Sequence, residues 1–173
     1  MFVQISFRRR PALATMLLIL SASTVLAQSS DSVKIVRFKG AFDGRASGVV
    51  QAGNLVGTQN VTGSASFFGR FTITKKDTTD LATGLSTNGV VQLVVGNGDV
   101  INGSSVGRSG EATDTPNIGH AVFLVTITSG TGRFEGAKGV LTMDHLVDNT
   151  TIPAYISTTG TLTGTISFPN STN

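Results

Sequence analysis

The chain has 173 residues, with 13 Lys and Arg against 10 Asp and Glu, and it contains neither cysteine nor tryptophan. The missing cysteine excludes a disulfide framework and any thiolate zinc site. Arg8, Arg9 and Arg10 fall in an N-terminal leader, so the remaining basic and acidic residues balance and no electrostatic case for nucleic acid or an anionic membrane surface follows.

In chain order, residues 1–27 read as a secretory signal peptide. Arg8 to Arg10 form the basic region, Met16-Leu17-Leu18-Ile19-Leu20 the apolar stretch, and Val25-Leu26-Ala27 a small-residue cleavage site. Ser21, Ser23 and Thr24 interrupt the apolar run well before the roughly 20 residues a membrane span needs. The expectation is an exported protein, periplasmic or extracellular, with no membrane span once the leader is removed. Residues 28–173 then form one domain large enough for its own core.

Gln28 to Asp31 reads as a polar leader. Ser32 to Phe42 reads as the first strand, Asp43-Gly44-Arg45 as a turn, and Ala46 to Gln51 as a short second strand. Val61 to Ile73 carries the clearest alternation: Val61, Gly63, Ala65, Phe67, Gly69, Phe71 and Ile73 on one face, mostly Ser and Thr on the other. Lys75 to Gly84 reads as a polar hairpin loop. Thr87 to Val95 and Val100 to Val106 are strands joined by Gly96-Asn97-Gly98-Asp99, a tight reversal. Arg108 to Asn117 is the longest predicted loop. Ile118 to Thr128, Val140 to Val147 and Thr159 to Phe168 complete the set, with a loop at Asp148 to Ala154. Abundant threonine favours strands, and no segment shows a helical period. Eight strands with glycine-permitted curvature predict an all-β domain closed into a single eight-stranded antiparallel β-barrel, since closure removes exposed edges.

Between the sixth and seventh predicted strands lies Gly130-Thr131-Gly132-Arg133-Phe134-Glu135-Gly136-Ala137-Lys138-Gly139, a glycine-rich strand corner. It resembles the signature loop of the allene oxide cyclase and dirigent barrel superfamily, including secreted bacterial proteins similar to that barrel. Ser66-Phe67-Phe68-Gly69-Arg70-Phe71-Thr72, Asp80-Leu81-Ala82-Thr83-Gly84, Asn97-Gly98-Asp99 and Gly160-Thr161-Leu162-Thr163-Gly164-Thr165-Ile166 extend the resemblance, in the same order, over about Ala46 to Phe168. The resemblance implies an eight-stranded barrel with an apolar interior, a homo-oligomer that is a trimer in plant relatives, and a structural role for Glu135. Plant cyclases of that family guide ring closure of a fatty-acid epoxide, and dirigent proteins steer radical or quinone-methide coupling. The charged and tyrosine residues of those activities find no counterpart positions here.

Gly130-x-Gly132 is not a phosphate loop, because a strand and not a helix follows it. Gly103-Ser104-Ser105-Val106-Gly107 matches the nucleophile-elbow pattern, with Ser105 served by His120 or His145 and by Asp114 or Asp144. The elbow requires a strand-turn-helix that this stretch lacks. Two histidines without a spaced carboxylate cluster define no metal site, and no cofactor is expected. His145 shares a face with Leu141, Met143 and Val147. It reads either as a hydrogen-bonded core histidine or as a polar anchor inside a ligand cavity. Phe67, Phe71, Met143 and His145 are the candidate ligand-lining set, with no catalytic residue assigned. Three functions remain open: a non-catalytic barrel holding a small apolar ligand, a cyclase, isomerase or dirigent-like protein that shapes a small apolar substrate, and a cell-envelope surface or interaction protein.

Overall fold

The computed structural model describes residues 33–150 and 156–168; the signal peptide predicted over residues 1–27 lies outside the described residues. The chain runs through eight strands: β1 (Lys34–Gln51), β2 (Asn54–Ala65), β3 (Gly69–Asp80), β4 (Leu85–Val95), β5 (Val100–Ala112), β6 (Ile118–Gly130), β7 (Lys138–Asp148) and β8 (Ile156–Phe168). Each pairs antiparallel with the next, and β8 returns to β1, closing the barrel. The closing seam runs from Lys34 opposite Phe168 to Ala46 opposite Ile156. No ladder edge is left free along this seam, the usual gain of closure.

The count of eight strands agrees with the expectation, but several boundaries differ. The predicted turn at Asp43-Gly44-Arg45 lies inside β1, an unbroken strand of 18 residues. Gly44 acts there by close approach: a side chain at this position would run into the backbone of Asn60 and Val61 on β2. The long predicted strand from Val61 to Ile73 is instead a hairpin, with Ala65 opposite Gly69 and Ser66-Phe67-Phe68 as its loop. Gly69 takes φ +68° to complete the reversal. Three residues separate the paired positions, so odd-numbered residues point inward on both sides of the turn. The alternation therefore passes through the reversal without a break. β3 likewise continues through Asp80, over residues predicted as loop, and β5 extends to Ala112.

Inward residues fill the barrel in two unlike halves. At the pole carrying the β2–β3, β4–β5 and β6–β7 connections the interior is apolar. Leu93, Met143, Leu162 and Ile166 have no exposed surface there. The glycine corner folds a 3-10 turn, Gly132–Phe134, over this pole. The turn seats Phe134, also fully buried, against Phe68 at 5.8 Å between ring centroids and against Phe168 at 6.3 Å. Arg133 lies over the Phe134 ring at 4.9 Å, and its Nη2 donates to the Phe68 carbonyl at 3.3 Å. This pole is sealed. At the other pole the β1–β2, β3–β4 and β5–β6 connections surround an opening.

Candidate functional site

Below that opening the inward positions change character. The alternation that delivers Phe71 and Ile73 to the interior of β3 next delivers Lys75, Asp77 and Thr79. β2 adds Gln59, β4 Ser86, β5 Ser105, β7 His145 and β8 Thr158, and all five are buried. One bulge shapes the cluster: β4 carries an extra residue against both neighbours, between Thr87 and Val90 opposite β3 and between Ser86 and Gly89 opposite β5. It switches the inward parity of β4, so that Ser86 as well as Val91 points into the barrel.

The Lys75 side chain is 4% exposed, and its Nζ lies 2.7 Å from Asp77 Oδ2. The same ammonium sits 3.6 Å from the Phe123 ring centroid. Ser86 Oγ donates to Asp77 Oδ2 at 2.5 Å, so the carboxylate is held from two strands. Burial pulls the Lys75 amine below its ordinary range, against the pull of the Asp77 charge. His145 stacks on Phe123 at 5.7 Å and meets Phe42 edge-on at 5.7 Å. Its pKa falls to about 4, chiefly through burial and secondly through the Lys75 charge. The ring is therefore neutral near pH 7.

Gln59 links this group across the barrel. Its Nε2 donates to Thr158 Oγ1 at 3.2 Å and lies 3.2 Å from His145 Nε2. Among the described residues, three buried side-chain polar atoms have no protein hydrogen-bond partner: Gln59 Oε1, Ser105 Oγ and His145 Nδ1. The Met143 carbonyl favours a proton on the imidazole, but it lies outside hydrogen-bonding geometry for Nδ1. Unpaired buried groups of this kind cost about 1–3 kcal/mol each, and natural interiors keep few of them.

Two connected spaces meet the cluster. A chamber of about 70 Å³ is lined by Gln59, Lys75, Asp77, Phe123 and His145 among others. Above it a mouth cavity of about 690 Å³ opens between Val50, Leu81, Arg108 and Asn149. Leu55, Thr79, Val147 and Ile156 border both spaces. The arrangement is a vestibule of mixed lining, with Val50, Leu55, Leu81, Val147 and Ile156 beside Asp80, Arg108 and Glu111, over a small polar floor, a build that suits a small-molecule site.

No protein-family model, no curated protein and no solved structure matches this chain.

Of the four lining residues expected from sequence, only His145 reaches this site, facing the chamber as a polar group on an apolar strand face. Phe71 and Met143 point inward but belong to the packed half of the barrel. Phe67 is half-buried in the β2–β3 loop at the sealed pole, 5.6 Å from Phe68 and 6.3 Å from Phe134 between centroids. Ser105 lies in the middle of a strand, its Oγ engaged by no base. His120 is on the outer wall, its Nε2 2.8 Å from Asp144 Oδ1 and its Nδ1 3.7 Å from Glu111 Oε2. Serine and outer histidine thus face opposite ways and form no triad. Lys75 and Asp77 escaped the sequence reading because Lys75 to Gly84 read as loop, and Gln59 because it lies just ahead of the strand predicted from Val61. The signal that would have found them is the odd-number alternation of Phe71 and Ile73, which runs on unchanged to Lys75, Asp77 and Thr79.

Proposed function

We propose that this is an exported β-barrel that holds a small, largely apolar molecule in its mouth without transforming it. Export rests on the basic, apolar and small-residue sequence of residues 1–27. The binding reading rests on one observation: a vestibule of about 690 Å³, with Val50, Leu55, Leu81, Val147 and Ile156 in its wall, standing over a small chamber bordered by Gln59, Lys75, Asp77 and His145. The reading moves the ligand from the barrel centre to its open third. The likeness of the glycine corner to the allene oxide cyclase and dirigent barrels agrees with a ligand-holding barrel and, through that likeness, with a homo-oligomer.

Native mass spectrometry of the protein recovered from its own host tests this. A co-purified small molecule is expected, together with the subunit number. Leu55→Glu, which places a charge where the two cavities join, should abolish the adduct. A wild-type protein free of adduct that also fails to bind the apolar dye N-phenyl-1-naphthylamine would overturn the reading.

The cyclase or isomerase reading draws on a separate observation: Asp77, a carboxylate fixed by Lys75 and Ser86, borders the chamber and could move a proton on a bound substrate. Chemical conversion of a co-purified molecule by wild-type protein, and not by Asp77→Asn, would favour it. The interaction-protein reading draws on the outer wall. Val106 and Leu124 stand directly opposite each other there, beside the exposed Val122 and Val140.

A further inference from the structure

Resting on the binding reading above, we propose that the molecule held in the mouth is an aliphatic aldehyde, captured reversibly as an imine on the Lys75 amine at the chamber floor. The Lys75 side chain leaves β3 and ends on the face of Phe123 in β6, three strands further round the barrel. It therefore crosses the lumen and brings its amine, not only its stem, to the chamber. Nζ stands 3.6 Å from the Phe123 ring centroid and 2.7 Å from Asp77 Oδ2, and Lys75, Phe123 and Asp77 all line that space. An ammonium carries three N–H bonds. Asp77 and the Phe123 face take two, which leaves one for an occupant. Stability does not explain the pair, because apolar residues of similar volume often serve a core as well as a buried ion pair or better.

A lysine amine in a poorly hydrated pocket is the form that condenses with a carbonyl. Burial draws Lys75 below its ordinary range, so a larger share of it is free amine near neutral pH than at a surface lysine. Asp77 accepts the proton that the ammonium releases. The amine then attacks the aldehyde carbon, and a C–N bond forms as the C=O π bond breaks. Asp77 relays two of the protons that began on Nζ to the carbonyl oxygen, which leaves as water while the C=N bond forms. Ammonium and aldehyde thus become iminium and water. The positive charge stays opposite Asp77, and nothing is oxidised or reduced. Size sets the rest. About 70 Å³ admits a formyl group and the carbon behind it, not a ring. The chain then lies along Leu55, Val147 and Ile156 into the vestibule.

The test treats the wild-type protein, near neutral pH, with decanal and sodium cyanoborohydride. The hydride reduces an imine to a stable secondary amine, and peptide mass spectrometry then maps the modified lysines. Lys75 should gain a decyl group at least about tenfold faster than the exposed Lys34, Lys39, Lys76 and Lys138, because the mouth holds the aldehyde beside the amine. Excess N-phenyl-1-naphthylamine should slow the labelling of Lys75 and leave that of the exposed lysines unchanged. In the Lys75→Met, Asp77→Leu double variant the fast phase should vanish. Displacement of the dye by decanal without modification of Lys75, or labelling of Lys75 no faster than of the exposed lysines, overturns capture by Lys75 while leaving the mouth a ligand site. A wild-type protein that binds neither the dye nor decanal overturns both.

Discussion

Lys75 and Asp77 stand two residues apart on one strand, and the period of two turns both into the barrel with Nζ and Oδ2 2.7 Å apart. Two charges taken out of water hold together only as a pair. Asp77→Ala should therefore destabilise the fold by about 3–5 kcal/mol, the usual loss on orphaning a buried charge. The double variant Lys75→Met with Asp77→Leu should recover most of that loss. Urea midpoints of the single and double variants check this. Because folded Lys75 releases its proton below the ordinary value of 10.5, the unfolded chain holds more protons as pH approaches that value. Wild-type stability should therefore gain a component on the alkaline side, and Lys75→Met should lack it.

The two histidines should pull stability in opposite directions with pH. His145 is depressed from 6.5 to about 4, so the unfolded chain takes up its proton first as acid is added. The stability it contributes is complete above 6.5 and falls away between 6.5 and 4, by about 3 kcal/mol in all. His120 is raised by the Asp144 hydrogen bond. Its contribution is present below 6.5 and is lost as pH climbs through its folded value. Imidazole NMR should show His120 titrating above 6.5 and His145 near 4. His145→Phe should flatten the acid limb of the stability profile.

Much of the fold was legible because the strands of this chain keep a period of two over long runs. Val61, Ala65, Phe71, Ile73, Leu93 and Leu141 announce an inner face from sequence alone. The failures have the same cause as the successes. A three-residue loop at Ser66-Phe67-Phe68 preserves parity, so a reversal there leaves no trace in the pattern. Asp43-Gly44-Arg45 looks like a turn because local chemistry cannot show that Gly44 must sit against the β2 backbone. The site was nearly illegible, apart from His145. Gln59, Lys75 and Asp77 are polar residues on an inner face, and polarity is the usual mark of loop or outer wall. Only the closed circuit of strands places them together.

Phe134 should govern stability without governing the mouth. It is fully buried at the sealed pole, so Phe134→Ala should lose about 3–5 kcal/mol. Affinity of the folded protein for an apolar dye at the opposite pole should stay within about twofold, since distant sites act independently. A thermal melt and a dye titration on the same sample check both parts.

The β1–β2 reversal offers a stabilising change. Ala52 holds φ +45° and Gly53 φ +80°, with Gln51 opposite Asn54, so both residues of a two-residue turn are left-handed. Alanine is disfavoured there by roughly 1 kcal/mol, while asparagine tolerates it. Ala52→Asn should raise the urea midpoint by an equivalent of about 0.5–1 kcal/mol.

Lys34 and Phe168 are partners at the start of the closing seam, and both belong to the pole that Phe134 stoppers. Whatever is fused ahead of the first strand or behind the last therefore joins the molecule at its blind side. A barrel immobilised through either junction would hold its aperture toward the surrounding medium, so a surface-bound sensor made this way should keep full access to small solutes.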